Sequence, residues 1–338
     1  MTQALKIRFI FIFMMITVFV IRLITNPYYF ADFDSYIILT DRLSVTPVAD
    51  WITYEPFSSL VLFILRLLAG NSYDAVVAAY WYVSIIFLIG LFFIVRQQGI
   101  IWQGAVITLG LYGPLLAFVT VRATPAYLLI CLAAIKATEG KLISLAIALL
   151  ATGFHISAVL AIPPLLVALA QRRFGLVDRM FKSRRTTIAV ALITFIALGF
   201  FYEQMLEFLN NIVTLFDTFL GKYFTYIKSD SEKDVSKLTE DNSFHQIYLI
   251  IVTLFVAMHL FQNDAKSVQF RGYILISYMI FAFLGFSPVA SFRQSFFWVM
   301  PLILFFPWQN FSFNGLGSIV LLFVSCLMFY AGFLTVIQ

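Results

Sequence analysis

The topology of the chain is best read outward from two short segments, Val121-Arg122-Ala123-Thr124-Pro125 and, further along the chain, Thr152-Gly153-Phe154-His155-Ile156-Ser157-Ala158. Both segments lie between apolar runs, and each places one polar side chain, Arg122 or His155, at the end of such a run. Arginine and histidine are costly at membrane depth, so each marks a candidate functional site. If both residues lie on the same side of a membrane, they can share one site.

The composition is that of a helical membrane protein. Of the 338 residues, 62% are hydrophobic and 12% are charged, and the mean hydropathy is +0.96. Soluble proteins carry about 25% charged residues, whereas the apolar residues here recur in runs long enough to span a bilayer. We therefore predict an all-α polytopic integral membrane protein with a single transmembrane domain over residues 1–338. A β-barrel would instead show short alternating segments.

The apolar runs predict about eleven transmembrane helices. The run at 57–69 is short for a span, so we predict a re-entrant or interfacial helix there. The first run, at 9–24, follows Lys6 and Arg8 and is not followed by a small-residue cleavage site. We interpret it as a retained first span whose N-terminus lies inside.

Basic residues predict the orientation of the spans. Residues 171–186 contain six basic residues and one aspartate, which indicates a cytoplasmic loop. Counting spans from that loop makes residues 26–56 the first periplasmic segment. It makes residues 203–244 a large periplasmic loop with an amphipathic helix and a mobile polar tip. The same count places Arg122 and His155 at the outer face.

The predicted outer face also carries Asp34, Glu55 and Arg293. Arginine presents a planar fork of donors that binds phosphate oxygens and keeps its charge. Arg122 and Arg293 are therefore candidates for holding a lipid-linked phosphate or pyrophosphate. The alternative is that both side chains snorkel to lipid headgroups.

Three outer side chains can accept a proton from a substrate hydroxyl: Glu55, His155 and Asp34. We favour Glu55 and His155 over Asp34 as the base, and the residue types do not rank those two. Simple solvation of the carboxylates and packing of the histidine against backbone are the alternatives. Tyr36 and Tyr54 accompany Asp34 in an aromatic and acidic segment of the kind that binds carbohydrate.

The sequence lacks the motifs of several other functions. It has no Walker motif, no GxGxxG, no HExxH and no GxSxG, and its three histidines show no metal-ligand spacing. We predict neither a metal nor a cofactor. The net charge of +5 reflects membrane orientation, and we predict no nucleic-acid partner. Cys131 and Cys326 both lie in apolar runs, which disfavours a structural disulfide.

Five short motifs, taken in chain order, resemble those of the EpsG/Wzy-type bacterial polysaccharide polymerases. The likeness in topology extends over most of the chain. The motifs are Asp34-Ser35-Tyr36, Tyr54-Glu55-Pro56-Phe57, Val121-Arg122, Leu150-Ala151-Thr152-Gly153-Phe154-His155-Ile156-Ser157-Ala158 and Ser291-Phe292-Arg293. The sequence departs from the family after Arg122, where a polar residue and a helix-forming run are usual. Here Pro125 follows shortly, a residue that suits the first turn of a helix.

The resemblance implies a multi-pass protein of the bacterial inner membrane, with a glycosyltransferase architecture similar to the GT-C type and an active site that faces the periplasm. It implies a polymerase that joins undecaprenyl-pyrophosphate-linked oligosaccharide repeat units into O-antigen, capsule or exopolysaccharide. Membrane lipid and a chain-length regulator are the further partners it implies. Two alternatives stay open: a transferase or ligase that decorates a glycan from a polyprenyl-linked donor, and a transporter or flippase of lipid-linked oligosaccharide.

Overall fold

The computed structural model of the chain is built from α-helices and short 3₁₀ helices over the residues that it describes. These are residues 3–30, 32–48, 50–51, 55–97, 102–183, 185–189, 192–193, 196, 242–262, 265–283, 288–306, 308 and 315–336. The 3₁₀ helices include Pro27–Tyr29 and Ile156–Ala161. The α-helices are α1 (Gln3–Ile24), α2 (Phe33–Val45), α3 (Pro56–Ala69), α4 (Ser72–Gln97), α5 (Trp102–Phe118), α6 (Ala123–Thr138), α7 (Ile143–Phe154), α8 (Ile162–Arg173), α9 (Gly175–Lys182), α10 (Asn242–Phe261), α11 (Ala265–Phe283), α12 (Pro288–Phe305) and α13 (Gly315–Val336).

The all-helical prediction is confirmed over these residues, while the number of membrane crossings stays a prediction. Among the described residues, Ser72–Arg96 and Ile156–Arg173 are the helices long and apolar enough to cross a membrane. The second of these begins with a 3₁₀ turn, so it is a broken helix. The helix predicted at 57–69 is present as α3.

Two predicted segments contain more regular structure than expected. The segment at 26–56, predicted to be the first periplasmic segment, contains a complete helix, α2. The basic loop, 171–186, is largely helical, since α8 continues to Arg173 and α9 follows directly. The predicted outer loop at 203–244 lies, as far as residue 241, outside the described residues.

The chain divides into two compact units. The first comprises Met1–Leu132, Leu149–Ile156 and Ile303–Gln338. Its centre is α5, which is apolar on all sides and packs against α1, α4 and α13. Gly110 allows the closest approach, because a Cβ atom there would lie 2.7 Å from the backbone oxygen of Ser325 on α13. Small residues commonly permit such contacts between membrane helices.

The second unit comprises Ala133–Ala148 and Ser157–Leu302. Its α8 packs against α11, where the Gln171 side-chain amide donates to the Val268 carbonyl and accepts from the Gly272 N–H. Arg271 is fully buried on α11 and donates to the carbonyls of Phe181 and Lys182 at the end of α9. The buried Arg271 guanidinium thus caps the C-terminal end of α9.

Candidate functional site

The carboxylate of Glu55 is buried in the first unit and binds three groups. The residue is 8% exposed and immediately precedes α3. Its Oε1 accepts hydrogen bonds from Nδ1 of His155 at 2.5 Å and from the N–H of Ile156 at 3.0 Å. Its Oε2 lies 3.2 Å from Nη1 of Arg122. One carboxylate therefore joins the start of α3 to the residues that follow α7 and precede α6.

The backbone of Glu55 is held in an unusual conformation. Its φ is 67° and its ψ is 89°. Residues with a Cβ avoid positive φ, and this conformation costs about 1–3 kcal/mol. Pro56 supplies the fixed φ of the first helical position, and the N–H of Ser59 donates to the Glu55 carbonyl at 3.0 Å. The side-chain contacts of Glu55 therefore hold a strained residue in place, as is common at functional sites.

A tight turn between α5 and α6 positions Arg122. The hydroxyl of Thr124 donates to a carbonyl of α5 at 2.7 Å and lies 2.8 Å from the hydroxyl of Thr120. The guanidinium carbon of Arg122 lies 5.8 Å from the centre of the Tyr36 ring. The side chain is 36% exposed, and a guanidinium has five N–H donors. It can therefore pair with Glu55 on one side and offer donors to an anion on another.

His155 lies at the end of α7, where its N–H donates to the Ala151 carbonyl at 2.9 Å. Its ring stands edge-on to that of Tyr127, at 6.5 Å between centroids and 84° between planes. An ionised carboxylate only accepts hydrogen bonds, so Nδ1 must carry the proton that it donates to Glu55. In the neutral imidazole the lone pair is then on Nε2. The side chain is 20% exposed.

Close packing of α3 on α7 fixes the distance between Glu55 and His155. The Ser58 hydroxyl donates to the Phe154 carbonyl at 2.7 Å. At Gly153 a Cβ atom would lie 2.2 Å from the Phe57 ring, so any side chain at this position would displace that ring. Gly153 therefore lets α3 approach the residue before the histidine.

The surroundings of Glu55 favour its charged form. Burial raises the pKa of this carboxyl, but the charge and hydrogen-bond interactions with His155, the charge of Arg122 and the Ile156 N–H together hold the pKa below its ordinary value. Burial also raises the pKa of Tyr36, although Arg122 opposes that effect. The site therefore contains a carboxylate and a neutral phenol at neutral pH.

The structure brings together four of the seven residues proposed from sequence: Glu55, Arg122, His155 and Tyr36. Tyr36 is buried, and its ring lies beneath the Arg122 guanidinium. The side chain of Asp34 is exposed in the first turn of α2.

The other two of the seven are Tyr54 and Arg293. Tyr54 is outside the described residues. Arg293 was expected between two spans, but its backbone lies within α12, in the second unit.

Two contributors to the site were not found from sequence. The Ile156 N–H is a backbone group, and no residue type signals its role. Tyr127 is an aromatic residue within an apolar run, which is the ordinary composition of a membrane helix. Only the edge-on contact between its ring and the imidazole identifies it as a neighbour of His155.

A narrow crevice in the first unit adjoins these residues. Its walls are mostly apolar, and it is lined by Ser58, Val61, Tyr82, Val121 and Phe154. Over the described ranges, no three His, Cys, Asp or Glu side chains are grouped in a way that could hold a metal ion.

Comparison with known proteins agrees with the resemblance seen in the sequence motifs. The EpsG family model matches residues 7–337. No curated protein and no solved structure matches the chain. The family implies a membrane protein with a function of the polysaccharide polymerase type, with which the apolar helices agree. Because the family model covers nearly the whole length, this chain belongs to the EpsG family.

Proposed function

We propose that the chain is a membrane glycosyltransferase of the bacterial inner membrane that joins undecaprenyl-pyrophosphate-linked oligosaccharide units into a surface polysaccharide at the periplasmic face. The observation that carries the proposal is the contact of the buried Glu55 carboxylate with both His155 and Arg122. This arrangement combines a positioned base with a cation suited to a leaving phosphate. A GT-C-like architecture with about eleven spans is part of the proposal.

His155 is the general base in this mechanism. Glu55 holds the imidazole with Nδ1 protonated and stabilises the imidazolium that forms, so Nε2 accepts the proton. The same division of roles between carboxylate and histidine operates in hydrolase triads. Sequence alone left Glu55 and His155 equal as bases. The geometry favours His155, because both Glu55 oxygens already bind other groups.

The reaction is a displacement at the anomeric carbon of the donor chain. The acceptor hydroxyl oxygen forms a bond to that carbon, its proton passes to Nε2 of His155, and the bond between the carbon and the pyrophosphate oxygen breaks. Undecaprenyl pyrophosphate leaves with the electron pair. Arg122 stabilises the charge that develops on it, because a preorganised donor acts most strongly where charge forms. Asp34, being exposed, is proposed to accept sugar hydroxyls.

Arg293 is a second candidate for binding the pyrophosphate, on the strength of the sequence motif alone.

The glycan ladder of intact cells tests the proposal. Deleting the gene is expected to reduce the ladder to single repeat units, and wild-type protein is expected to restore it. Arg122→Ala and Arg293→Ala are expected to fail at normal protein levels. Arg42→Ala, which removes an exposed arginine of α2, is the matched control and is expected to restore the ladder. Wild-type chain lengths with both Arg122→Ala and Arg293→Ala would overturn the proposal.

The same experiment separates the alternative functions. A decorating transferase would leave full-length chains that lack one sugar. A transporter requires two compartments, so longer glycans made by purified protein in detergent would exclude transport as the primary role.

A further inference from the structure

Arg22 is a buried cation that the proposed mechanism does not use. It lies in the last turn of α1 and is 1% exposed, so it does not reach lipid headgroups. Its Nε, Nη1 and Nη2 atoms have no hydrogen-bond partner among the described residues. Three aromatic rings surround the guanidinium carbon instead: Phe30 at 5.6 Å, Tyr80 at 5.6 Å and Trp81 at 5.4 Å.

Stability alone does not account for this arginine. Removing a guanidinium from water without hydrogen bonds is costly, and attraction to the faces of aromatic rings offsets only part of that cost. An apolar side chain of similar size would fill the same space without a charge. A buried ionisable residue in a membrane helix is a functional hypothesis by default.

One of the three rings around Arg22, that of Tyr80, contacts a residue of the candidate site, Tyr36. Tyr80 is fully buried on α4 and stands edge-on to Tyr36, at 6.0 Å between centroids and 85° between planes. Tyr36 in turn lies beneath Arg122 at 5.8 Å. The two tyrosines are therefore bracketed by two arginines, Arg22 against Tyr80 and Arg122 against Tyr36.

The same ring of Tyr80 also fixes the start of α2. Phe30 stacks on it at 5.9 Å with 17° between planes, and Phe33 contacts it at 5.9 Å. Asp32 between them has a φ of 70°, so the chain enters α2 through a strained residue that these aromatic contacts restrain. Tyr36 is one turn further along that helix.

We propose that Arg22 is a positioning residue for the anion site at Arg122, acting through Tyr80 and Tyr36. Arg22 holds the Tyr80 ring, Tyr80 holds Tyr36, and Tyr36 supports the guanidinium that binds pyrophosphate. This inference rests on the proposed function, since it assigns Arg122 to pyrophosphate.

Binding of inorganic pyrophosphate to the purified full-length protein tests the inference, with the thermal midpoint measured on each variant. Arg22→Met is expected to keep or raise the midpoint, because it removes a buried unpaired charge. It is expected to weaken pyrophosphate binding about tenfold, as a small misplacement of a binding group does. Arg22→Lys keeps a cation against the rings and is expected to restore most of the affinity. Arg42→Met is the matched control and is expected to bind like wild type.

A second pair of variants tests the route through Tyr80. Tyr80→Leu is expected to weaken binding as Arg22→Met does, whereas Tyr80→Phe retains the ring and is expected not to. Combining Arg22→Met with Tyr80→Leu is expected to be no worse than either alone, because residues that act in series are not additive. These variants also decide the question if Arg22→Met fails to fold.

Arg122→Ala separates the two proposals. If Arg122→Ala abolishes binding while Arg22→Met and Tyr80→Leu bind like wild type, the role of Arg22 is overturned and the proposed function stands. Equal losses in Arg22→Lys and Arg22→Met would also overturn it. If Arg122→Ala binds pyrophosphate like wild type, the assignment of Arg122 fails, and the inference that depends on it fails with it.

Discussion

Nδ1 of His155 lies 2.5 Å from Oε1 of Glu55, although 100 positions separate the two residues in the chain. The same oxygen accepts the N–H of Ile156, so the carboxylate fixes both the imidazole and the backbone beside it. In the proposed mechanism this relationship divides the roles at the site. Glu55 positions the imidazole, His155 presents Nε2 to the acceptor hydroxyl, and Arg122 pairs with the second carboxylate oxygen of Glu55.

Glu55→Gln is expected to lower polymer formation by about 100-fold or more, since an amide neither stabilises an imidazolium nor enforces the required tautomer. The measurement is turnover of a lipid-linked donor by purified protein. Glu139→Gln is the matched control, because Glu139 is exposed and pairs with Lys136 and Lys141. Near-normal turnover in Glu55→Gln would remove the carboxylate from the mechanism.

His155→Ala is expected to reduce kcat by about 10²–10⁴-fold, the usual contribution of a general base. Its pyrophosphate affinity is expected to change much less, since proton transfer belongs to the transition state and Arg122 remains in place. Kinetics with varied donor concentration give kcat and KM separately. A variant that loses affinity but keeps kcat would mean that His155 only supports binding.

Arg122→Lys is expected to recover little of the activity lost in Arg122→Ala. A lysine ammonium keeps the charge, but it lacks the planar fork that contacts Glu55 and an anion together. Arg122→Ala is also expected to destabilise the fold by about 1–3 kcal/mol, since Glu55 loses a charged partner. Turnover and thermal melts of both variants, compared with Arg42→Ala, check this. Full activity in Arg122→Lys would mean that the site requires only a positive charge at this position and not the planar guanidinium.

The stability of the protein is expected to fall at acid pH partly through Glu55. Folding lowers the pKa of this carboxyl below its ordinary 4.5. Its contribution is therefore complete above that value, and it is lost as the pH falls toward the lowered pKa. Thermal midpoints of wild type and Glu55→Gln between about pH 3 and about pH 7 are expected to differ most near neutrality and to converge in acid. A constant difference would show that the charge of Glu55 does not matter.

Gly153→Ala is expected to destabilise the fold by about 1–3 kcal/mol, the usual cost of overpacking, and to lower activity. The new Cβ atom would lie 2.2 Å from the Phe57 ring and force α3 and α7 apart. Gly175→Ala is the matched control, because nothing lies within 4 Å of a Cβ atom at that position. Adding Phe57→Ala is expected to restore part of the activity of Gly153→Ala. If the double variant recovered no activity, the loss in Gly153→Ala would not be due to steric separation of α3 from α7.

Most helix positions could be predicted from the sequence, because hydropathy is a local property of the chain. The helix predicted at 57–69 is α3, Pro56–Ala69. The helix α2 was not predicted, since Asp34, Asp41 and Arg42 make that stretch polar. Its buried face is visible only where Tyr36 packs against Tyr80.

The candidate site could be predicted only as a set of residue types. Sequence marked Arg122 and His155 as costly groups at the ends of apolar runs and Glu55 as a carboxylate of the first outer segment, and the predicted topology placed them on one side. It favoured Glu55 and His155 over Asp34 as the base but did not rank those two. Packing separates Asp34 from Glu55, since Asp34 is exposed in the first turn of α2 while Glu55 is buried against His155.

Residue composition and short motifs were enough to show that the chain is helical, apolar and a member of its family, because each of them acts within one segment. The tertiary structure alone decided which side chains meet. The contact of Glu55 with His155 depends on how the start of α3 packs against the end of α7. The aromatic surroundings of Arg22 depend on Tyr80 of α4 and on Phe30, which precedes α2. Such distances are set by the packing of helices that are far apart in sequence, which no local pattern encodes.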